Sequence, residues 1–115
     1  MGWFSKSTDK FFLSTTTPDG IAQSQYLGVV NGEAIIGANI FRDMFASVRD
    51  VVGGRASGYE RALSGARDAA MESLVEAAKE MGANGVIGID FDYEVLGETN
   101  GMMMVAVSGT AVKMG

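Results

Sequence analysis

Three acidic residues alternate along one stretch near the C-terminus and are the clearest group of metal-ligand types in the chain. Asp90, Asp92 and Glu94 are separated by single aromatic residues, so an extended strand places their carboxylates on one face. Carboxylate oxygens suit hard cations such as calcium, magnesium or manganese. Residues two apart in a strand are about 7 Å apart, so one ion would need ligands from elsewhere. The other interpretation is an exposed strand face whose carboxylates pair with arginines.

A glycine turn followed by an arginine precedes a predicted helix start. The residues are Gly53, Gly54, Arg55 and Ser57, and a helix N-terminus offers free N–H groups and partial positive charge to an anion. The run lacks the Gly-Lys-Ser/Thr ending of a nucleotide-binding loop. The alternative is a capped helix start, in which Ser57 and Glu60 form a capping box and Arg55 pairs with a carboxylate.

Charges of both signs recur between residues 33 and 60. An enzyme could use one of these carboxylates as a base beside arginines that tune it. The alternating signs favour an ion-pair network that joins helix to sheet or one subunit to the next. The candidate bases are Glu33, Asp43 and Asp50, the arginines are Arg42 and Arg49, and the wider network adds Asn39 and Glu60.

Three consecutive methionines, Met102, Met103 and Met104, suggest a thioether site for copper or silver. Strand alternation puts Met103 opposite the other two, so one chain cannot gather all three. Copies of Met102 or Met104 could still converge around a ring axis. Methionine also fills irregular packing, which is the alternative.

The composition excludes several kinds of chemistry. The 115 residues include no cysteine and no histidine, so disulfides, thiolate nucleophiles, imidazole ligands and Ser-His-Asp machinery are absent. A net charge of −5 argues against a nucleic-acid partner. No stretch approaches the roughly 20 apolar residues of a membrane span, and residues 1–6 lack a signal-peptide apolar core, which predicts a cytoplasmic protein.

Apolar spacing predicts six elements. Strands are expected at residues 11–15 and 24–30, with a Pro-Asp-Gly turn between them. A short amphipathic helix should cover residues 40–52 and a long one 58–81, ended by Gly82. The stripe of the long helix is Leu63, Ala66, Ala70, Leu74, Ala77 and Met81.

Two further strands, residues 86–96 and 102–114, form a predicted hairpin with its turn at residues 97–101. In the first, Ile87, Ile89 and the alternate residues up to Val95 are expected on the face opposite the three carboxylates. The second is apolar on both sides near its start, which implies cover on both faces. The order β-β-α-α-β-β predicts an α+β fold, with helices on one face of a mainly antiparallel sheet.

Several short motifs of this chain match those of a known family. They are Gly32-Glu33-Ala34-Ile35, Gly37-Ala38-Asn39-Ile40-Phe41-Arg42-Asp43, Arg49-Asp50, Gly53-Gly54-Arg55, Tyr59-Glu60, Gly82-Ala83, Gly88-Ile89-Asp90, Tyr93-Glu94 and Ser108-Gly109-Thr110-Ala111-Val112. They resemble the YbjQ family of uncharacterised bacterial proteins, which carries the label "putative heavy-metal-binding". The resemblance covers residues 11–115 as one domain and leaves residues 1–10 as an extension. It implies an α+β subunit assembled into a ring, as a homopentamer.

Three functions follow as hypotheses. The favoured one is a non-enzymatic ring that binds a small anionic ligand or a metal ion at subunit boundaries. The second is an enzyme using the carboxylate and arginine cluster. The third is an interaction module in which Trp3 and Phe4 insert into a partner or a membrane surface.

Overall fold

A computed structural model of the chain describes residues 11–18, 25–37, 57–96 and 102–114, apart from the side chains of residues 57–59. These ranges form an α+β fold of four strands and one helix. The elements are β1 (Phe12–Leu13), β2 (Gln25–Ile36), α1 (Ser57–Glu80), β3 (Gly85–Leu96) and β4 (Met102–Lys113). The other predicted helix, residues 40–52, and the hairpin turn at 97–101 lie outside the described residues.

The four strands form one mixed sheet in the order β1-β3-β4-β2. Both long pairings, β3 with β4 and β2 with β4, are antiparallel. The short β1 runs parallel to β3, where the Phe12 N–H donates to Asn84 O at 2.9 Å and the Ser14 N–H to Val86 O at 3.0 Å. The sheet is thus mainly antiparallel, as predicted, and it is mixed because β1 lies parallel to β3 at the edge away from β2.

β2 is longer than predicted. The expected strand stopped at Val30, but pairing with β4 continues to Ile36. The reason is a tertiary contact: a Cβ on Gly32 would overlap the carbonyl oxygen of Ala70 and lie 2.7 Å from the backbone nitrogen of Leu74. Gly32 therefore permits the close approach of α1 to the strand, and it makes no turn.

α1 begins and ends within one residue of the prediction. Its C-terminus is closed by Gly82, which has a φ of 87°, and the Ala83 N–H donates to Ala78 O at 3.1 Å. This left-handed glycine with a backward hydrogen bond is the usual end of a helix. In the last turn the Lys79 ammonium lies 5.7 Å from the Phe11 ring centroid, which connects α1 to the residues before β1.

The core lies between α1 and one face of the sheet. The helix contributes a stripe of mostly small side chains, which brings its axis close to β2 and β4. The predicted stripe omitted Met71 and Ala78, which are buried, and included Met81, which is exposed because it follows the end of the helix. The buried core side chains are Val30, Ile36, Ala66, Ala70, Met71, Leu74, Ala78, Val86, Ile89, Val105, Val107 and Ala111.

A β-bulge in β3 makes one predicted side-chain direction wrong. Gly88 has a φ of 63°, and the register with β4 shifts between Ile87 and Asp90. A left-handed glycine with an extra residue is the geometry of a glycine bulge. Ile87 consequently leaves the core face and packs with Val112 and Met114 in a separate small cluster, whereas Ile89 and Phe91 pack on the α1 side.

The side chain of Asn84 joins the end of β4 to the start of β3. Its amide group donates to Met114 O at 2.9 Å, and its carbonyl oxygen accepts from the Met114 N–H at 2.8 Å. The Asn84 backbone N–H also donates to Val112 O at 3.0 Å. These bonds hold the last residues of β4 to the segment between α1 and β3.

Candidate functional site

The bulge fixes which side chains of β3 point away from α1. Beyond Gly88 the alternation resumes, so Asp90, Asp92 and Glu94 share the face opposite the helix, and all three are exposed. Their direct neighbours on β4 are Ser108, Ala106 and Met104 in the same order. The structure thus places the three predicted carboxylates on one side of the sheet, in a row along one strand.

Glu33 extends this acidic surface from the other side of β4. Ala106 pairs with Asp92 on one neighbour and with Glu33 on the other, so the three residues form one cross-strand row. Two strand spacings separate the outer backbones by about 10 Å. The residue between the two carboxylates, Ala106, has only a methyl side chain.

Along β2 this same face is apolar on both sides of Glu33. Val29 is 73%, Tyr26 60% and Ile35 58% exposed, although their alternation partners Val30 and Ile36 are buried in the core. We call the side of the sheet away from α1, formed by the exposed residues of β2, β3 and Met102, the open face. Its exposed members are Tyr26, Val29, Asn31, Glu33, Ile35, Asp90, Asp92, Glu94 and Met102.

The methionine run is divided between the two faces of the sheet. Met103 pairs with Val95 and Ile36 and packs against the core. Met102 and Met104 pair with Leu96 and Glu94 of β3, on the open face. Within one subunit the three sulfurs therefore do not form a single site.

Among the described side chains, the groups suited to a hard metal ion are carboxylate oxygens. In the ranges that the structure covers, no group of three or more Asp, Glu, His or Cys residues is placed to hold one metal ion. The metal site proposed for Asp90, Asp92 and Glu94 would therefore need ligands beyond those described, and it stays a prediction.

The remaining predicted site residues fall mostly outside the described ranges. Ser57 is the first residue of α1, but Gly53, Gly54 and Arg55 are not described, so the anion site stays a prediction. The charged network is described at Glu33 and Glu60, both exposed. Its other members, Asn39, Arg42, Asp43, Arg49 and Asp50, lie outside the described residues, as does the extension of residues 1–10.

Two contacts were not foreseen from the sequence. Tyr93 accepts a 3.5 Å hydrogen bond from the Arg67 guanidinium of α1, and Asn84 bridges to Met114. Both join residues at least 26 positions apart, so no local pattern could have found them. Among the described helices, none is long and apolar enough to cross a membrane.

The chain matches one family model in sequence and resembles a solved structure in fold. The YbjQ family model, described as "Putative heavy-metal-binding", matches residues 11–115. Among solved structures, the chain is similar to a protein of unknown function from Pediococcus pentosaceus, described as belonging to the DUF74 family. The two are 17% identical with a TM-score of 0.64, over 91% of this chain and 98% of the other. At that identity the likeness concerns the fold alone.

Proposed function

This chain belongs to the YbjQ family, and from that premise we propose that it assembles with copies of itself into a homopentameric ring. In this proposal the ring binds a small anion or a metal ion where subunits meet. The single observation that supports assembly is the open face. Among the described elements, α1 packs on one side of the sheet. The other side buries Ile87 and Val112 at one end but exposes Val29, Tyr26 and Ile35 along β2.

Exposed apolar side chains along a long strand are characteristic of an interface. Soluble monomers seldom leave large apolar patches in water, and such patches commonly mark contact sites. In the sheet of described strands, β2 is also an edge strand of 12 residues, and long edges are normally paired or covered. When the contacting surfaces differ, repeated copies form a closed ring if the rotation closes.

The donor set restricts which ion such a boundary could hold. The chain has no cysteine and no histidine, so it offers no thiolate or imidazole to a soft or borderline metal. The carboxylates of Asp90, Asp92, Glu94 and Glu33 fit a hard cation, and a neighbouring copy could complete the ligand set. For an anion, the candidate remains the start of α1, with Gly53, Gly54, Arg55 and Ser57.

Native mass spectrometry of the protein as purified tests the proposal. We expect a single oligomer with retained small ligand or metal, and a pentamer would support the ring. A monomer at micromolar concentration would contradict assembly. An oligomer that releases nothing on denaturation, by mass and by elemental analysis, would contradict ligand binding while leaving assembly intact.

A matched pair of substitutions, each adding one negative charge, tests whether the open face is the contact between subunits. Val29→Glu should reduce the oligomer fraction, because it places a carboxylate among the exposed apolar side chains of the open face. Ser73→Glu, on the exposed side of α1, adds the same charge elsewhere and should leave the oligomer unchanged. Equal behaviour of the two variants would remove the open face from the interface.

Metal binding has its own test. Titration of the oligomer with Mn²⁺, followed by calorimetry, should give binding that Asp92→Asn weakens. Glu72→Gln removes an exposed carboxylate of α1 and serves as the control. It should bind Mn²⁺ like the unmodified protein. Equal binding by both variants would exclude the β3 carboxylates as ligands.

A further inference from the structure

We propose that the open face binds the arginine-bearing segment of a second copy of this chain, residues 38–56. This inference rests on the proposed self-assembly and adds to it the two surfaces that meet. Three observations support it: the charge on the open face, the properties of the surfaces that can oppose it, and the distance that the segment's own chain can span.

The open face combines apolar side chains with negative charge. Val29 and Ile35 lie on either side of Glu33 on β2, while Asp90, Asp92 and Glu94 lie on β3, on the other side of β4. In the part of the chain that the structure describes, the basic residues are on α1 and at Lys113, the end of β4. Lys113 follows Val112 and so points to the other side, which leaves the described open face without a cation.

The negative charge of the open face disfavours two ways in which a second copy could cover it. Packing two open faces against each other would bring together the carboxylates of both copies, and opposed like charges are costly at an interface. The exposed side of α1 is no better, because its exposed carboxylates outnumber its two exposed cations, Arg61 and Lys79. These carboxylates are Glu60, Glu72, Glu76 and Glu80. The surface that covers the open face must therefore offer apolar contacts together with positive charge.

Residues 38–56 have both properties. Their sequence predicts a helix from 40 to 52 with an apolar stripe, and it contains three arginines and two aspartates, Asp43 and Asp50, which leaves a net positive charge. Arginine pairs well with carboxylates at interfaces because its guanidinium is planar and weakly hydrated. The stripe is Ile40, Phe41, Met44, Phe45, Val48, Val51 and Val52, and the arginines are Arg42, Arg49 and Arg55.

The segment cannot reach the far end of its own open face. Gly28 lies against Met81 and Gly32 against Ala70, so α1 runs antiparallel to β2. Counting about 1.5 Å per helical residue and 3.3 Å per strand residue puts Ser57 roughly level with Gly37, about 26 Å from Val29.

The connection between the predicted helix and α1, residues 53–56, is too short for the segment to cover Val29 of its own chain. A helix that starts beyond Gly37 and covers Val29 would end near Val29, and residues 53–56 would have to return to Ser57. Five residue steps span at most about 18 Å, which is less than the roughly 26 Å required. A second copy has no such constraint, so the segment that covers Val29 comes from another subunit.

The absence of native cysteine allows a direct test with single-cysteine chains. Val29→Cys in one tagged chain is co-expressed with Val48→Cys in another, and the purified oligomer is oxidised. Because each chain carries one cysteine, a disulfide between positions 29 and 48 must join two subunits. We expect this linked peptide by mass spectrometry, and several-fold less of the control link between Val29→Cys and Ser73→Cys.

A second cysteine pair tests the same contact at another position of β2, in case residues 29 and 48 are not aligned for a disulfide. Ile35→Cys with Met44→Cys probes the other exposed apolar position of β2. A 29–48 or 35–44 link in the intact oligomer supports the inference. An intact oligomer with neither link, or with the control link predominating, overturns it while self-assembly stands. A monomeric protein overturns both.

Discussion

At the residue scale, two glycines serve opposite purposes. Gly32 has an ordinary backbone conformation but no room for a side chain, since α1 passes directly over it. Gly88 has open space around it but a φ of 63°. One position therefore requires glycine for packing and the other for conformation, and different substitutions should distinguish them.

We expect Gly32→Ala to destabilise the protein by about 1–3 kcal/mol or more, because the added methyl group meets helix backbone that cannot rotate away. Urea unfolding followed by circular dichroism measures this. Gly65→Ala is the control: that glycine is exposed within α1 with nothing near its Cβ position, and alanine should stabilise the helix by roughly 0.5–1 kcal/mol. Equal stability changes in the two variants would contradict the close approach.

Gly88→Ala should cost about 1–2 kcal/mol, because a Cβ is unfavourable in the left-handed region. Gly88→Asn should cost less, since asparagine tolerates that region better. Gly37→Ala, at an exposed site where an added Cβ would meet nothing within 4 Å, should have little effect on the urea midpoint. If alanine and asparagine at position 88 were equally neutral, the bulge would not depend on the positive φ.

At the element scale, the ends of the sheet are joined by side-chain hydrogen bonds. Asn84 holds Met114 through both atoms of its amide group, at 2.9 and 2.8 Å. Each buried or partly buried hydrogen bond contributes about 1 kcal/mol, and an abandoned partner costs more. The last residues of β4 should thus depend on this one side chain.

Asn84→Ala is expected to lower the free energy of unfolding by about 1–3 kcal/mol. Asn84→Asp keeps the acceptor for the Met114 N–H but places a carboxylate oxygen against the Met114 carbonyl, so it should not restore stability. Hydrogen exchange of the Met114 amide is the local measurement, and it should accelerate in Asn84→Ala. Ser64→Ala, at an exposed position of α1, should leave both quantities unchanged.

At the scale of the whole molecule, the asymmetry of the sheet is the main feature. α1 covers one side, and the other carries exposed Val29, Tyr26 and Ile35 beside carboxylates. If copies cover this side, folding and assembly are thermodynamically coupled. Stability then becomes a property of the assembly as well as of the chain.

The thermal midpoint should rise with protein concentration in the unmodified chain, because association favours the folded subunit. Differential scanning calorimetry over a wide concentration range measures this. Val29→Glu should flatten the dependence, and Ser73→Glu should preserve it. A midpoint independent of concentration in the unmodified chain, together with a monomer mass, would contradict assembly.

Local patterns predicted the elements well wherever local chemistry governs them. Alanine spacing and Gly82 located α1 within one residue at each end, and alternation placed Asp90, Asp92 and Glu94 on one face. Prediction failed where a distant contact intervened. The prediction ended β2 at Val30, although its pairing with β4 continues to Ile36, and the periodicity of β3 hid the bulge that moves Ile87 out of the core.

Residue types and their spacing along the chain predicted the α+β class and the long helix, and the motifs of the chain resembled those of the family. The strand order, the parallel pairing of β1, the length of β2 and the existence of the open face emerged only from the three-dimensional arrangement. Strand order and register follow from contacts between residues far apart in the chain. Local spacing contains no information about which of the other strands a given strand pairs with.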